Sequence, residues 1–418
     1  MTYRAPAGGF RTFLIVWVSQ SLSVFGSALS GFALNIWLVQ TVYPLPEQRP
    51  QLAWTLAATG LLGAITSMIT MPVAGALVDR FDRRRLMIAA DIMNGLVMAV
   101  AAFLMAYGHL EIWMLLVFCV VLTMLQVLHG SAFDTAYAML VPDEQLPRAN
   151  GMMQTMWSLS SLLSPAAAAT IIALPALARQ GSLPITFLAN VKEGAALAFG
   201  IDAITFCLAA VVLTTQRIPS PKRSEASKKA SIWVDVRFGV DYIWKRRPLL
   251  WLLATFAVVN LCLPIGIFLP LIVKTDLIAD WTARGFTYET AVAVINTTMA
   301  AGGLVGGVAV SIWGGLKRKR VIGLMAAMII GGVAQVGLGI SSGLYLAAAG
   351  AFFISFSGPM ANAHSQAIWQ SQVPREVQGR VFAVRRVMGQ ALGPLSTVMA
   401  GWMAGAFDPG HGLAILGG

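Results

Sequence analysis

Apolar runs of about 20 residues, the length that carries a helix across a bilayer core, follow one another along almost the entire chain, broken by short polar segments rich in arginine. The pattern predicts membrane spans near 12–40, 52–78, 86–107, 112–133, 150–174, 196–215, 249–274, 289–313, 320–339, 343–366 and 381–406. The first run is longer than the apolar core of a signal peptide, and no small-residue cleavage pattern follows it. It is therefore expected to stay in the mature protein as span 1. After Asp408 the chain ends in LAILGG, too short to cross a bilayer. Either a twelfth span is missing by truncation or the chain has eleven spans with its C-terminus outside; truncation is the expectation.

The charges between the runs test this reading. With the N-terminus in the cytoplasm, the inner segments hold Arg4, Arg11, Arg80, Arg83, Arg84, Arg85 and Arg148. They also hold the basic central loop, Lys317 to Arg320, and Arg375, Arg380, Arg385 and Arg386. The outer segments hold only Arg49, Arg179, Lys192, Lys274 and Arg284. One misplaced span would invert every later loop, so this positive-inside bias supports the span order as well as the orientation. It also accounts for the net charge of +11, and nucleic acid is not expected as a partner. Composition agrees: 57% of residues are apolar and 11% charged, against about 25% charged in soluble domains. Cys119, Cys207 and Cys262 stand singly in apolar runs, with no disulfide or metal-ligand spacing. No metal and no cofactor are expected.

Between spans 6 and 7 lies a polar, basic stretch containing PSPKRSEASKKAS, which cannot bury enough surface to fold alone. Its last part, WVDVRFGVDYIWK from Trp233 to Lys245, is amphipathic and is expected to lie along the membrane surface. The expected organisation is an N-terminal six-helix half over 1–215, a cytoplasmic linker over 216–248 and a C-terminal half over 249–418. An internal repeat supports the two halves. VPDEQLPR (Val141 to Arg148) follows span 4 and VPREVQGR (Val373 to Arg380) follows span 10, 232 residues apart. Each leads into a span with a proline midway, Pro165 or Pro394. GALVDRFDRRR after span 2 is echoed by the degenerate GGLKRKR after span 8. The fold class that follows is an all-α membrane protein of two six-helix pseudo-repeats, the architecture of transporters that bind substrate between their halves.

The segment from Gly75 to Arg85, GALVDRFDRRR, resembles the signature G-x-L-x-D-R-x-G-R-[KR] of the major facilitator superfamily. Gly75, Leu77, Asp79, Arg80, Arg83 and Arg84 match it; Asp82 stands where the signature has Gly. The form DRxDRR, the later Asp91 and LVPDEQLPRANG after span 4 resemble the drug-efflux branch that includes macrolide exporters. The resemblance implies a conformational latch. Gly75 would allow close helix approach, and Asp79 would bond the free N–H groups where span 11 starts, near Gly379 or Arg380. Arg80, Arg83 and Arg84 would pair with an acid at the end of span 4, with Asp134 as the candidate. The alternative is a solvated basic loop that serves only topology.

Asp91, inside span 3, is either a protonation site or a structural bond to its neighbours. No Lys, Arg or Glu falls in the middle of any span, and span 1 has only uncharged polar residues. Where the family carries an arginine in span 4, this chain has Gln126 ahead of His129 and Gly130. A neutral or weakly charged amphipathic substrate fits better than an anion. Candidate cavity residues are Gln20, Asn35, Gln126, His129, Asn260, Asn296, Asn362, His364 and Gln390; the alternative for each is an interhelical bond. Gly302, Gly303, Gly306 and Gly307 form small-xxx-small pairs, which predict close packing of span 8.

No HExxH, nucleophile elbow or P-loop occurs, so no enzyme is expected. The expected protein is a monomeric, multi-pass exporter of amphipathic small molecules in the plasma membrane. It is expected to work by alternating access, with a proton as coupling ion. Its partners are then a small-molecule substrate and the lipid bilayer. The alternative is a transporter of lysophospholipid, or of another lipid or metabolite, on the same fold.

Overall fold

The computed structural model describes residues 6, 8–181, 188, 190–219, 232–261, 269, 272–316, 319–390, 396 and 399. Every regular element among them is helical. The first six long helices are α1 (Gly9–Trp37), continued by a π turn over Leu38–Val42, α2 (Arg49–Arg80), α3 (Arg83–Ala106), α4 (Ile112–Leu140), α5 (Leu146–Arg179) and α6 (Ala195–Thr215). The linker helix is α7 (Ile232–Trp244). There follow α8 (Arg247–Leu261), the short α9 (Ile278–Ala283), α10 (Tyr288–Trp313), α11 (Arg320–Gly339), α12 (Leu344–Gln372) and α13 (Gln378–Gln390). Among the described residues nine helices are long and apolar enough to cross a membrane.

Where they are described, the spans fall where the hydropathy placed them, but two helices run on; part of expected span 7, 262–268 and 270–271, lies outside the described residues. Span 4 was expected to end near 133 and span 10 near 366, whereas α4 continues to Leu140 and α12 to Gln372. In α4 the added turns are buried by protein, from Ala132 and Phe133 through Tyr137 to Leu140. Their polar Asp134 and Thr135 lower the hydropathy without ending the helix. Most of expected span 11, and all of any span after it, lies outside the described residues.

Two compact units are present. The first comprises residues 1–143, 156–238 and 373–383. Its apolar core joins α1, α3 and α6 through Leu29, Ala33, Met98, Ala101, Ala198, Phe199 and Phe206. The second comprises residues 144–155, 239–372 and 384–418. Here α12 packs on α10 and α11; Gly302 and Gly306 of α10 sit directly on the carbonyls of Phe352 and Phe356, the close approach that the small-residue spacing predicted. Asp280 of α9 accepts the Leu344 N–H at 2.9 Å and so caps α12 from outside it. The Arg284 guanidinium and this N–H hold the Asp280 carboxyl below the usual range. The segments set apart from their sequence neighbours, 144–155 and 373–383, contain or adjoin the two copies of the repeat.

Candidate functional site

The first unit contains a dense charged cluster where α2 ends. Asp79 Oδ1 accepts the Gly379 N–H at 3.0 Å, and Oδ2 accepts the Arg380 N–H at 3.0 Å. These are free donors in the first turn of α13, where aligned peptide dipoles favour an anion. Arg380 Nε also donates to Asp79 Oδ2 at 3.3 Å. Gly75, one turn earlier, makes the approach possible. A Cβ there would lie 2.5 Å from both the Gly379 carbonyl oxygen and the Ala383 methyl group.

The arginines diverge from one another. Arg83 is buried, and its guanidinium donates to the carbonyls of Thr135 at 3.3 Å and Arg375 at 2.8 Å. Its distance to Asp79 is 3.9 Å. Arg84 donates to the carbonyls of Leu213 and Thr214 at the end of α6, a cation placed at a helix C-terminus. Arg80 donates to Asp235 at 2.6 Å. The expectation gave all three one acceptor, Asp134, at the end of span 4. The acceptors seen here are spread over α4, α6, α7 and the turn before α13.

Asp235 was missed by the sequence reading. It belongs to linker helix α7, is almost fully buried, and also accepts from Arg380 Nη1 at 2.8 Å. Phe238, one turn on, lies under the Arg380 guanidinium at 4.7 Å from its ring centre. Asp79, Arg380, Asp235 and Arg80 thus form one chain of alternating charge. α7 docks on the protein through Asp235 and leaves Trp233 and Trp244 exposed. The repeat closes on itself as well: Arg375 donates to Asp143 at 3.0 Å, two residues that occupy the same position of its two copies. Replacing Asp235 with Asn should remove the anion that Arg80 and Arg380 share, leaving Arg380 its contact with Asp79. Charged hydrogen bonds are worth about 1.5–3 kcal/mol each. The purified variant should melt several degrees below wild type in a thermal-shift assay; an unchanged melting temperature would show that α7 contributes nothing to the cluster.

A second polar group lies inside the same unit. Asp91 of α3 is fully buried. Gln20 Nε2 of α1 is 3.4 Å from its Oδ2 and His129 Nε2 of α4 is 3.2 Å from its Oδ1. Asn94, one turn along α3, is buried too, and its amide atoms have no partner among the described residues. Gln20 and His129, expected in a cavity, are therefore brought to Asp91.

The other cavity candidates fare differently. Asn35, Gln126, Asn296 and Asn362 are exposed, and Asn35 donates to the Gly31 carbonyl at 2.9 Å. Asn260 donates to Gly389 O at 3.3 Å. His364 is fully buried: Nε2 accepts the Leu316 N–H at 3.1 Å, which leaves Nδ1–H to donate to Met360 O at 2.7 Å. Both nitrogens serve the fold, and the ring is not free to meet a substrate. The Gln390 side chain lies outside what is described.

Long apolar helices in two compact units, with a signature loop whose carboxylate caps another helix, define a multi-pass membrane transporter. The sequence profile of the Major Facilitator Superfamily matches residues 16–397, and the chain belongs to that superfamily, whose members carry solutes and are not enzymes. It is 24% identical over 410 residues to macrolide efflux protein A of Streptococcus pyogenes, covering 97% of this chain and 92% of that one. It is 25% identical over 392 residues to the multidrug efflux pump Tap of Mycolicibacterium fortuitum, covering 92% and 89%. Among solved structures, the E. coli fucose:proton symporter superposes with a TM-score of 0.65 at 15% identity, covering 96% and 93%. A bacterial homologue of the iron transporter ferroportin, in its outward-facing state, superposes with a TM-score of 0.62 at 17% identity, covering 95% and 92%. These two likenesses concern the fold alone.

Proposed function

We propose that this protein exports amphipathic small molecules of neutral or weakly charged character across the plasma membrane, by alternating access coupled to protons. The observation that carries the substrate class is likeness over nearly the whole chain to proteins named for macrolide and multidrug efflux. Local chemistry supports it: the middles of the spans carry no Lys, Arg or Glu to hold a strongly charged solute. The N-terminus lies in the cytoplasm, which places the Asp79 cluster at the inner mouth. There Gly75, Asp79, Arg80, Arg83, Arg84, Gly379 and Arg380 act as a latch, with Asp134 close by on α4. The latch closes when the protein opens outward and breaks when it opens inward. Asp91, with His129 beside it, takes up a coupling proton, and the exposed Asn35, Gln126, Asn296 and Asn362 face the substrate path. The transporting unit is a monomer of two pseudo-repeated halves.

The test is ethidium or Hoechst accumulation in cells that express the chain, with and without an uncoupler, at matched membrane expression. Lower accumulation than in empty cells, reversed by the uncoupler, is expected. Unchanged accumulation of both dyes and of macrolides would overturn the export reading and favour a lysophospholipid or metabolite as substrate.

A further inference from the structure

Asp202 lies in α6, next to none of the groups used so far, and is 1% exposed. Three hydroxyl groups surround its carboxyl group. Ser30 Oγ is 2.7 Å from Oδ2, Ser27 Oγ 3.2 Å from Oδ1 and Thr205 Oγ1 3.5 Å from Oδ1. Gly26 of α1 presses on the same spot: a Cβ there would lie 2.9 Å from Asp202 Oδ1 and would meet the Thr205 hydroxyl. No basic residue pairs with Asp202 among the described residues. The elements packed on α6 carry their charges elsewhere. On α1 the charge is Arg11 at its start, on α3 Arg83 to Arg85 and Asp91, and on α5 Arg148 and Arg179. Asp91 and His129 are displaced along α1 by the seven residues from Gln20 to Ser27, about 10 Å. Cys207 is the remaining titratable side chain on α6.

Each hydroxyl has one proton to donate, and two of the three have a second acceptor within reach. Ser30 Oγ is 3.1 Å from the Ser27 carbonyl, and Thr205 Oγ1 is 2.8 Å from the Asp202 carbonyl. Two complete arrangements therefore exist. With the carboxylate ionised, Ser30 and Ser27 donate to Oδ2 and Oδ1. With the acid protonated on Oδ2, its O–H donates to Ser30 Oγ, Ser30 turns its own proton to the Ser27 carbonyl, and Thr205 stays on the Asp202 carbonyl. The two differ by one proton and the rotation of a hydroxyl group, with no heavy atom moved. A buried carboxyl with no cation beside it either draws on such hydroxyl donors or takes up a proton.

We propose that Asp202 is a proton-binding site, separate from the Asp91–His129 pair, which holds its proton while α1 is seated on α6 and exchanges it with water when that seam admits solvent. As the source of a coupling proton the site rests on the export reading; as a proton-binding site it does not. The test is infrared difference spectroscopy of the full-length protein in lipid bilayers, titrated with pH and without substrate. The expected result is a carbonyl-stretch band of a protonated carboxyl that disappears on alkalinisation. It should be absent from Asp202→Asn and displaced in frequency in Ser30→Ala, where the hydroxyl at 2.7 Å is lost. Identical carboxyl bands in wild type and both variants across the titration would overturn the proposal. Because no substrate enters the measurement, a failed dye assay and a failed titration are distinguishable.

Discussion

Asp79→Asn should abolish most transport while leaving the protein folded and in the membrane. The carboxylate accepts from two backbone N–H groups, at 3.0 Å each, and from the Arg380 guanidinium. An amide of the same shape has a single acceptor oxygen, and its NH2 group must then face another donor. At least one charged hydrogen bond is lost, about 1.5–3 kcal/mol, and a donor–donor contact is added. A factor of ten in a conformational equilibrium corresponds to about 1.4 kcal/mol. Losing the cluster therefore shifts the balance between inward- and outward-open states by roughly one to two orders of magnitude.

Two measurements check this. Dye efflux from cells with equal membrane expression should fall to about a tenth of wild type or less, in proportion to that shift. Cysteines placed singly along the C-terminal end of α2 and the N-terminal end of α13, which the proposed orientation puts in the cytoplasm, should become more reactive to a membrane-impermeant maleimide in inverted vesicles. Reduced efflux with unchanged labelling would place Asp79 in substrate handling instead of in a latch. Wild-type efflux would remove the latch altogether. Asp79→Glu separates charge from geometry: it keeps the anion but moves it one methylene deeper, against Gly379 and Arg380. It should recover labelling only in part.

The partner of Asp79 was legible because the family resemblance implies both ends of the contact: Gly75 and Asp79 on one side, and the start of span 11, near Gly379 or Arg380, on the other. Hydropathy and loop charge placed the helices for a similar reason, since each span must satisfy the same solvent. Asp235 was not legible. It sits in an amphipathic segment whose periodicity says only that one face is apolar, and nothing in that pattern ties the segment to Arg80 and Arg380. The polar residues of the spans failed differently. Gln20, His129, His364 and Asn362 look equivalent in sequence, yet two lie beside Asp91 and another has both ring nitrogens used by backbone. A polar side chain in a membrane helix bonds whichever neighbour is within reach, and reach is a property of the packed helices. Asp202 stands near the outer end of an apolar run, a position that by sequence alone is simply interfacial. Its burial depends on Gly26 and Ser30, some 170 residues earlier in the chain.

Gly306→Val should prevent the chain from reaching its folded state. A Cβ at position 306 would overlap the Phe356 carbonyl oxygen and sit 3.0 Å from the carbonyl carbon and Cα of the same residue. These are backbone atoms of α12, so no side-chain rotation relieves the clash and the two helices must move apart. Gly302 meets the Phe352 carbonyl in the same way one turn earlier, so the seam cannot pivot about that point. Overpacking against movable side chains costs about 1–3 kcal/mol; against a backbone carbonyl the cost should exceed that range and approach the roughly 5–15 kcal/mol that holds a whole domain. Gly332→Ala in α11 is the control: a Cβ there meets nothing within 4 Å, and helix propensity alone should favour Ala by about 0.8–1.0 kcal/mol. Fluorescence-detected size exclusion of detergent-solubilised membranes gives the readout. The expected result is a wild-type monodisperse peak for Gly332→Ala and an aggregate or no peak for Gly306→Val. A normal peak with a normal melting temperature for Gly306→Val would mean that α10 and α12 do not meet at this point. Comparable damage from Gly332→Ala would mean that the membrane helices resist any added methyl, and the specific contact with Phe356 would lose its support.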